Sequence, residues 1–170
     1  MAKEKQVKEV TMDNMHIWDK VCNTNPDNTK HVNARGGFTA IGAQTQVKRA
    51  TELFGPIGMG WGIEEERITM PSEGYFVYQA LLWYRWDDKP YRFTINSSIV
   101  YKVGERHDDD AVKKVSTDAL TKGLSRLGFN SDVFEGLFDD NKYVAEMNTK
   151  FGNKKKDTTK PKVKAKNDFI

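Results

Sequence analysis

Lys122 and Arg126 stand four residues apart in the stretch STDALTKGLSRLGF, residues 116–129. At that spacing two residues of a helix share one side of a turn. With residues about 100° apart around the axis, Val112, Val115, Ala119, Leu120, Gly123, Leu124 and Leu127 make one broad apolar face. The two cations fall on its border, where the helix must meet its neighbour. A basic pair beside a crevice suits a run of phosphates. The simpler reading is a snorkelling pair whose aliphatic stems cover the seam, and the pattern alone favours it. Gly123 costs such a helix about 1 kcal/mol relative to alanine. With Ser116 and Ala119 it forms a strip of small residues, which predicts the close approach of another backbone, that of a sheet.

Arg92 and Lys102 alternate with Thr94, Asn96, Ser98 and Val100 in YRFTINSSIVYKV. Such a strand face can lie along phosphates, its hydroxyl and amide groups adding contacts. An ordinary solvated sheet face explains the pattern equally well. The aromatics of YFVYQALLWYRW can stack on bases, but most are expected in the core because both strand faces carry them. Trp86 and Tyr91, beside the expected hairpin turn, are the ones expected to stay accessible. Arg35, in NARGGF, ranks below the strand cations as a phosphate ligand.

Two acidic runs, Glu64-Glu65-Glu66 and His107-Asp108-Asp109-Asp110, raise a different chemistry. A metal-dependent nuclease gathers carboxylates around its ions. Consecutive acids in a loop point in different directions, and Asp109 or Asp110 suits a helix N-cap, so the structural role is preferred. No Ser-His-Asp, Cys-His or phosphate-loop pattern is present, and His16, His31 and His107 are scattered. Cys22 is the only cysteine, which rules out an internal disulfide and a cysteine-rich metal site. No cofactor or metal is expected.

The elements that must position these residues follow from periodicity and breakers. Residues 1–12 are polar and read as loose. Met15, Ile17, Trp18 and Val21 are the anchors of a short amphipathic piece that ends at Asn25-Pro26-Asp27-Asn28. Gly36-Gly37 reads as loop, and residues 43–54 read as a helix stopped by Gly55-Pro56. Strands are expected near 59–70, through GYFVYQALLWYRW, and back through YRFTINSSIVYKV after a turn at Asp87-Asp88-Lys89-Pro90. The last of these places Tyr91, Phe93, Ile95, Ile99 and Tyr101 on one face, with Ser97 interrupting. GERHDDD reads as a charged connection, followed by a helix over 109–127 and a short one near 140–148. The fold class is α+β: an antiparallel meander of three or four strands whose apolar face is covered by the long glycine-bearing helix.

A chain of 170 residues suggests one domain, expected over 13–149. The charge is uneven. Eight of the 27 basic and two of the 24 acidic residues fall within 150–170, which leaves 19 basic against 22 acidic elsewhere. The overall +3 therefore comes from a Lys-rich tail with too few large apolar residues to fold alone. That tail can concentrate DNA through counterion release or simply solubilise the protein, and its tip, NDFI, has the acidic-apolar character of a docking peptide. Nucleic-acid binding by the core must rest on where its cations lie. There is no run of about 18 apolar residues, and MAKEKQVKEV lacks the apolar stretch of a signal peptide; a cytoplasmic protein without membrane partners is expected.

TDALTKGLSRLGF followed by DVFEGLFDDNKYV resembles the signature end of the single-strand annealing domain. That domain occurs in the eukaryotic Rad-fifty-two recombination protein and in phage annealing recombinases, including the essential-recombination-function group. Thr117, Asp118, Ala119, Leu120, Lys122, Gly123, Leu124, Leu127 and Gly128 fit its helix motif. Upstream, VKRATELFGPIGMGWGI is similar to the family's helix that leads into a Gly-Trp strand, with Glu52, Leu53, Phe54, Gly55, Gly60 and Trp61 matching. The resemblance spans roughly residues 35–145 and lies nearest the phage-type proteins.

The resemblance implies sequence-independent binding of single-stranded DNA and annealing of complementary strands in recombination or repair. It implies rings or helical arrays of subunits, a positively charged groove between sheet and helix, and no nucleotide or obligatory metal. Protein partners would be a single-strand-binding protein or an exonuclease, and a phage-encoded member would work in the host cytoplasm. Lys122 matches one of the family's basic positions on the glycine-bearing helix. Thr121 and Ser125 stand where the family is often basic, with Arg126 one step along. On the upstream helix Thr45 takes a basic position, while Lys48 and Arg49 follow three and four residues later. The expected DNA-binding set is therefore Lys48, Arg49, Arg92, Lys102, Lys122 and Arg126. Three rivals remain: a single-strand-binding protein that protects without annealing, a nuclease using the acidic clusters, and an assembly protein indifferent to nucleic acid.

Overall fold

One turn of helix, α1 (Trp18–Val21), lies near the start of the computed structural model, which describes residues 13–33 and 36–152. The first twelve residues, Arg35 and the Lys-rich tail from 153 onward lie outside the described residues. After a 3-10 turn at Pro26–Asn28 come β1 (Thr29–Val32) and β2 (Phe38–Ile41), an antiparallel two-stranded ribbon. Four-residue strands without a consistent buried face carry no period-2 signal, so this ribbon is not legible in the sequence.

α2 (Ala43–Phe54) matches the expected helix. It buries Gln46, Ala50 and Phe54, one residue per turn, and stops at Gly55. The main sheet follows as β3 (Trp61–Ser72), β4 (Tyr75–Trp86) and β5 (Lys89–Val100), antiparallel, with β4 in the centre. Asp87 and Asp88 alone make the β4–β5 turn, both at positive φ (48° and 59°). Two left-handed residues match the twist of a tight hairpin, so Lys89 and Pro90 belong to β5 and not to the turn. β3 is irregular: its register with β4 shifts between Glu64 and Arg67, where Glu65 has φ 54°.

β5 ends at Val100, earlier than its alternation suggests. Tyr101 leaves the strand, and β6 (Lys102–Val103) pairs with β7 (Arg106–His107) in a separate small ribbon. α3 (Ala111–Arg126) then packs across β5 and β4. Asp110 stands at its N-cap but makes no side-chain cap bond; Asp108 instead accepts from the Asp110 N–H at 3.2 Å and pairs with Lys114. Val112, expected on the apolar face, is exposed, because the buried stripe runs through Ala111, Val115, Ala119 and Gly123 and leaves it to one side.

The core is shared between one sheet face and the helices. Trp61, Tyr78, Ala80, Leu82 and Ile95 meet Val115, Ala119, Leu124 and Phe129. A Cβ on Gly123 would lie 2.6 Å from Ile95 Cγ2 and 3.2 Å from Leu82 Cδ1. The glycine is there for close approach of helix to sheet, as the small-residue strip implies. At Gly128 a side chain would meet the Trp18 ring, and φ is +96°, so this glycine both turns the chain after α3 and seats the N-terminal segment.

α4 (Ser131–Phe134) and α5 (Asn141–Lys150) are the last helices among the described residues. A buried polar knot ties them to the N-terminal segment. The Asp132 carboxylate accepts from Thr24 N (2.7 Å), Thr24 Oγ1 (2.5 Å), Val133 N (2.9 Å) and Tyr143 OH (2.8 Å). Asn130 Nδ2 donates to Thr24 Oγ1 at 2.8 Å. The architecture is α+β, with helices on one face of a three-stranded antiparallel sheet and the other face left open by the described residues.

Candidate functional site

Lys122 and Arg126, in the C-terminal half of α3, emerge along the β5 edge of the sheet. Arg126 Nη1 donates to the Thr94 carbonyl oxygen at 3.2 Å. Thr94 lies on β5, an edge strand, where every second residue turns its backbone groups away from the neighbouring strand. One turn earlier, Lys122 Nζ sits 2.6 Å from an Asp118 carboxylate oxygen, and Asp118 also accepts a hydrogen bond from Ser97 Oγ. Lys122 and Arg126 are both exposed. The helix–sheet approach at Gly123 sets their height over β5.

On the other side of the same edge strand lies a second group. Arg92, Thr94, Asn96 and Ser98 point away from the helices, as their alternation predicts. The β4 register extends this open face to Gln79, Leu81, Trp83 and Arg85, and β3 adds Glu64 and Arg67. The side chains of Arg67, Arg85 and Arg92 are exposed, and none has an ion-pair or hydrogen-bond partner among the described residues. Arg67 and Arg85 are absent from the sequence-based set. The signal for Arg85 was in the sequence: in LLWYRW it alternates with Leu82, Tyr84 and Trp86, which face the helices. Arg67 is hidden by the bulge at Glu64–Arg67, which breaks simple alternation.

The remaining expected cations lie elsewhere. Lys102 does not share the Arg92 face, because β5 has already ended; it pairs with Glu73 at the opposite end of the sheet. Lys48 is exposed on α2, 3.8 Å from Glu52. Arg49 is half-buried and donates to the carbonyl oxygens of Asn23 and Lys20, bracing the segment after α1. Burial lowers its pKa from the ordinary arginine value, opposed by the charges of Asp132 and Glu52. Of the six, Lys122, Arg126 and Arg92 gather around β5.

Trp86 and Tyr91 are half-buried. With His16, Trp18, Tyr84 and Arg126 they line a pocket of about 290 Å³ beneath the N-terminal segment. The His16 ring lies 4.9 Å from Trp86, and Lys20 Nζ stands 5.4 Å from the Trp86 ring centre. Burial raises the Tyr84 pKa, and Tyr91 adds to the shift.

The acidic runs are dispersed, as expected of consecutive residues. Glu66 accepts from Tyr78 OH at 2.7 Å, while Glu64 faces the open side. Asp108 is held by Lys114 Nζ at 2.7 and 2.8 Å, which lowers its pKa. Among the described residues no group of three His, Cys, Asp or Glu side chains is placed to hold a metal ion, and no helix is long and apolar enough to cross a membrane.

No protein-family model matches the chain, and no curated protein is significantly similar to it.

Proposed function

We propose that this chain binds single-stranded DNA without sequence preference and anneals complementary strands in recombination or repair, without hydrolysing a nucleotide, as an oligomeric ring or helical array. Its domain is a single-strand annealing domain of the phage type, at work in a host cytoplasm. The observation that carries the reading is the gathering of Lys122, Arg126 and Arg92 on the two sides of the edge strand β5, with Lys122 at a basic position of the matching motif.

Phosphate contacts position a strand and carry no sequence information. A DNA backbone held along β5 would leave its bases free to test a second strand, and duplex formation would then drive the reaction. Lys122 must exchange Asp118 for a phosphate. An exposed ion pair contributes only about 0–1 kcal/mol, so the exchange is inexpensive.

The test is the salt dependence of binding to a labelled oligothymidylate. For single strands the logarithmic slope is about −0.7 per phosphate neutralised. Lys122→Ala with Arg126→Ala should therefore flatten it by about 1.4 and weaken binding. An unchanged slope in a folded variant removes the groove. Binding without annealing by the wild type would favour the protective single-strand-binding rival, and magnesium-dependent cleavage would favour the nuclease.

A further inference from the structure

We propose that Trp83 is a stacking platform for an unpaired base, with Arg85 and Arg92 beside it holding the neighbouring phosphates. The inference rests on the single-strand-binding reading and extends it to the sheet face opposite the helices.

Trp83 is half-buried on the open face of β4. Its register partner on β3 is Gly62. A Cβ on Gly62 would lie 3.0 Å from the indole Nε1, 3.2 Å from Cε2 and 3.3 Å from Cζ2. The indole therefore rests on the bare backbone of β3, in space that a side chain at residue 62 would claim. A ring supported this way stays put and loses little freedom when a base settles on it.

Among the described residues Trp83 lacks the ring contacts that many of the other aromatics make. Phe54, Tyr84, Trp86, Tyr91, Phe76 and Tyr101 stack or edge on ring neighbours, and Trp61 is fully buried. Trp83 has no ring partner and makes no side-chain hydrogen bond among the described residues. Instead it lines an open hollow with Glu64, Arg85 and Arg92. Arg92 is directly opposite it on β5, and Arg85 is two residues along β4 on the same face. Neither guanidinium group has an ion-pair or hydrogen-bond partner among the described residues.

A flat apolar ring beside two cations matches the chemistry of a nucleotide strand: a π-face for the base, positive charge for its phosphates. Glu64 sets the direction. Its carboxylate on the β3 side repels phosphate, so the backbone runs on the β5 side, past Arg92. Thr94, whose carbonyl anchors Arg126, is two residues along that strand, about 7 Å away. The platform is thus continuous with the cations of α3 around the edge of the sheet.

The full chain is tested with a labelled oligothymidylate and with an abasic phosphodiester of equal length. Stacking on one aromatic contributes roughly fivefold or more in affinity. Trp83→Ala should lose that factor on oligothymidylate and nothing on the abasic strand, whereas Trp83→Phe should retain most of it. Arg85→Gln with Arg92→Gln should weaken both strands. Equal effects of Trp83→Ala on the two strands, or no effect on either, overturn the platform. If Lys122→Ala with Arg126→Ala still impairs binding in that case, the DNA-binding reading stands without it. A wild-type chain that binds neither strand removes both. Photo-crosslinking of the wild type to 5-iododeoxyuridine DNA needs no folded variant: adducts at Trp83 support the platform, and adducts only elsewhere refute it.

Discussion

Replacing Gly123 with alanine sets two effects of opposite sign against each other. Alanine in a helix interior is about 1 kcal/mol better than glycine. Its methyl would, however, lie 2.6 Å from Ile95 Cγ2 and 3.2 Å from Leu82 Cδ1. Ile95 and Leu82 are 1% and 0% exposed, and a β-branched side chain has little rotamer freedom with which to move aside. Overpacking of this kind costs about 1–3 kcal/mol. With both neighbours buried and one contact at 2.6 Å the upper part of that range applies. The expected net loss is about 1–2 kcal/mol, a fall in Tm of about 2–8 °C for a chain of this size. Urea and thermal unfolding followed by circular dichroism measure it. The clashing atom is specific, so the pair can be tested. Ile95→Leu removes Cγ2 and should recover part of the loss in the double variant, while Ile95→Val keeps that methyl and should not. A Gly123→Ala protein that is more stable than the parent would refute close approach as the reason for the glycine, and with it the placement of Lys122 and Arg126 over β5.

Arg49→Met should act on stability and leave DNA affinity intact: losing the donors to the Asn23 and Lys20 carbonyls is expected to cost about 1–3 kcal/mol in urea unfolding. Asp132→Ala strands Thr24 N, Thr24 Oγ1, Val133 N and Tyr143 OH in the buried knot, and a loss of about 3 kcal/mol or more is expected from the same measurement. Tyr78, Tyr84 and Tyr143 have pKa values raised above the ordinary 10.0, chiefly by burial, with Glu66 adding at Tyr78 and Asp132 at Tyr143. The folded state then holds protons that the unfolded state gives up, so the contribution of these tyrosines to stability is constant with pH below about 10 and is lost as pH rises above it. Absorbance-monitored titration should show some of the six tyrosines ionising late, together with unfolding.

What the sequence discloses depends on the length of each repeating pattern. α2, β4 and α3 have twelve residues or more with a clear period, and their positions are legible to within a few residues. The β1–β2 and β6–β7 ribbons have strands of two to four residues, too short to show one. The close approach at Gly123 follows from Ser116, Ala119 and Gly123 on one strip. The role of Arg49 does not, because its partners are backbone carbonyls 26 and 29 residues away, and a carbonyl has no sequence signature. Lys102 was assigned to the Arg92 face by extending an alternation past Val100, where the chain turns into β6. Arg85 and Trp83 alternate correctly in the sequence, yet only the register with Gly62 and Arg92 brings their neighbours into view.

The most direct test of the central claim is annealing of two complementary labelled oligonucleotides by the full chain, without nucleotide and across a range of salt, beside the Lys122→Ala/Arg126→Ala variant. The account predicts annealing well above the protein-free rate that weakens with salt and is largely lost in a folded double variant. Annealing no faster than the protein-free rate, or annealing indifferent to those two residues, would contradict it.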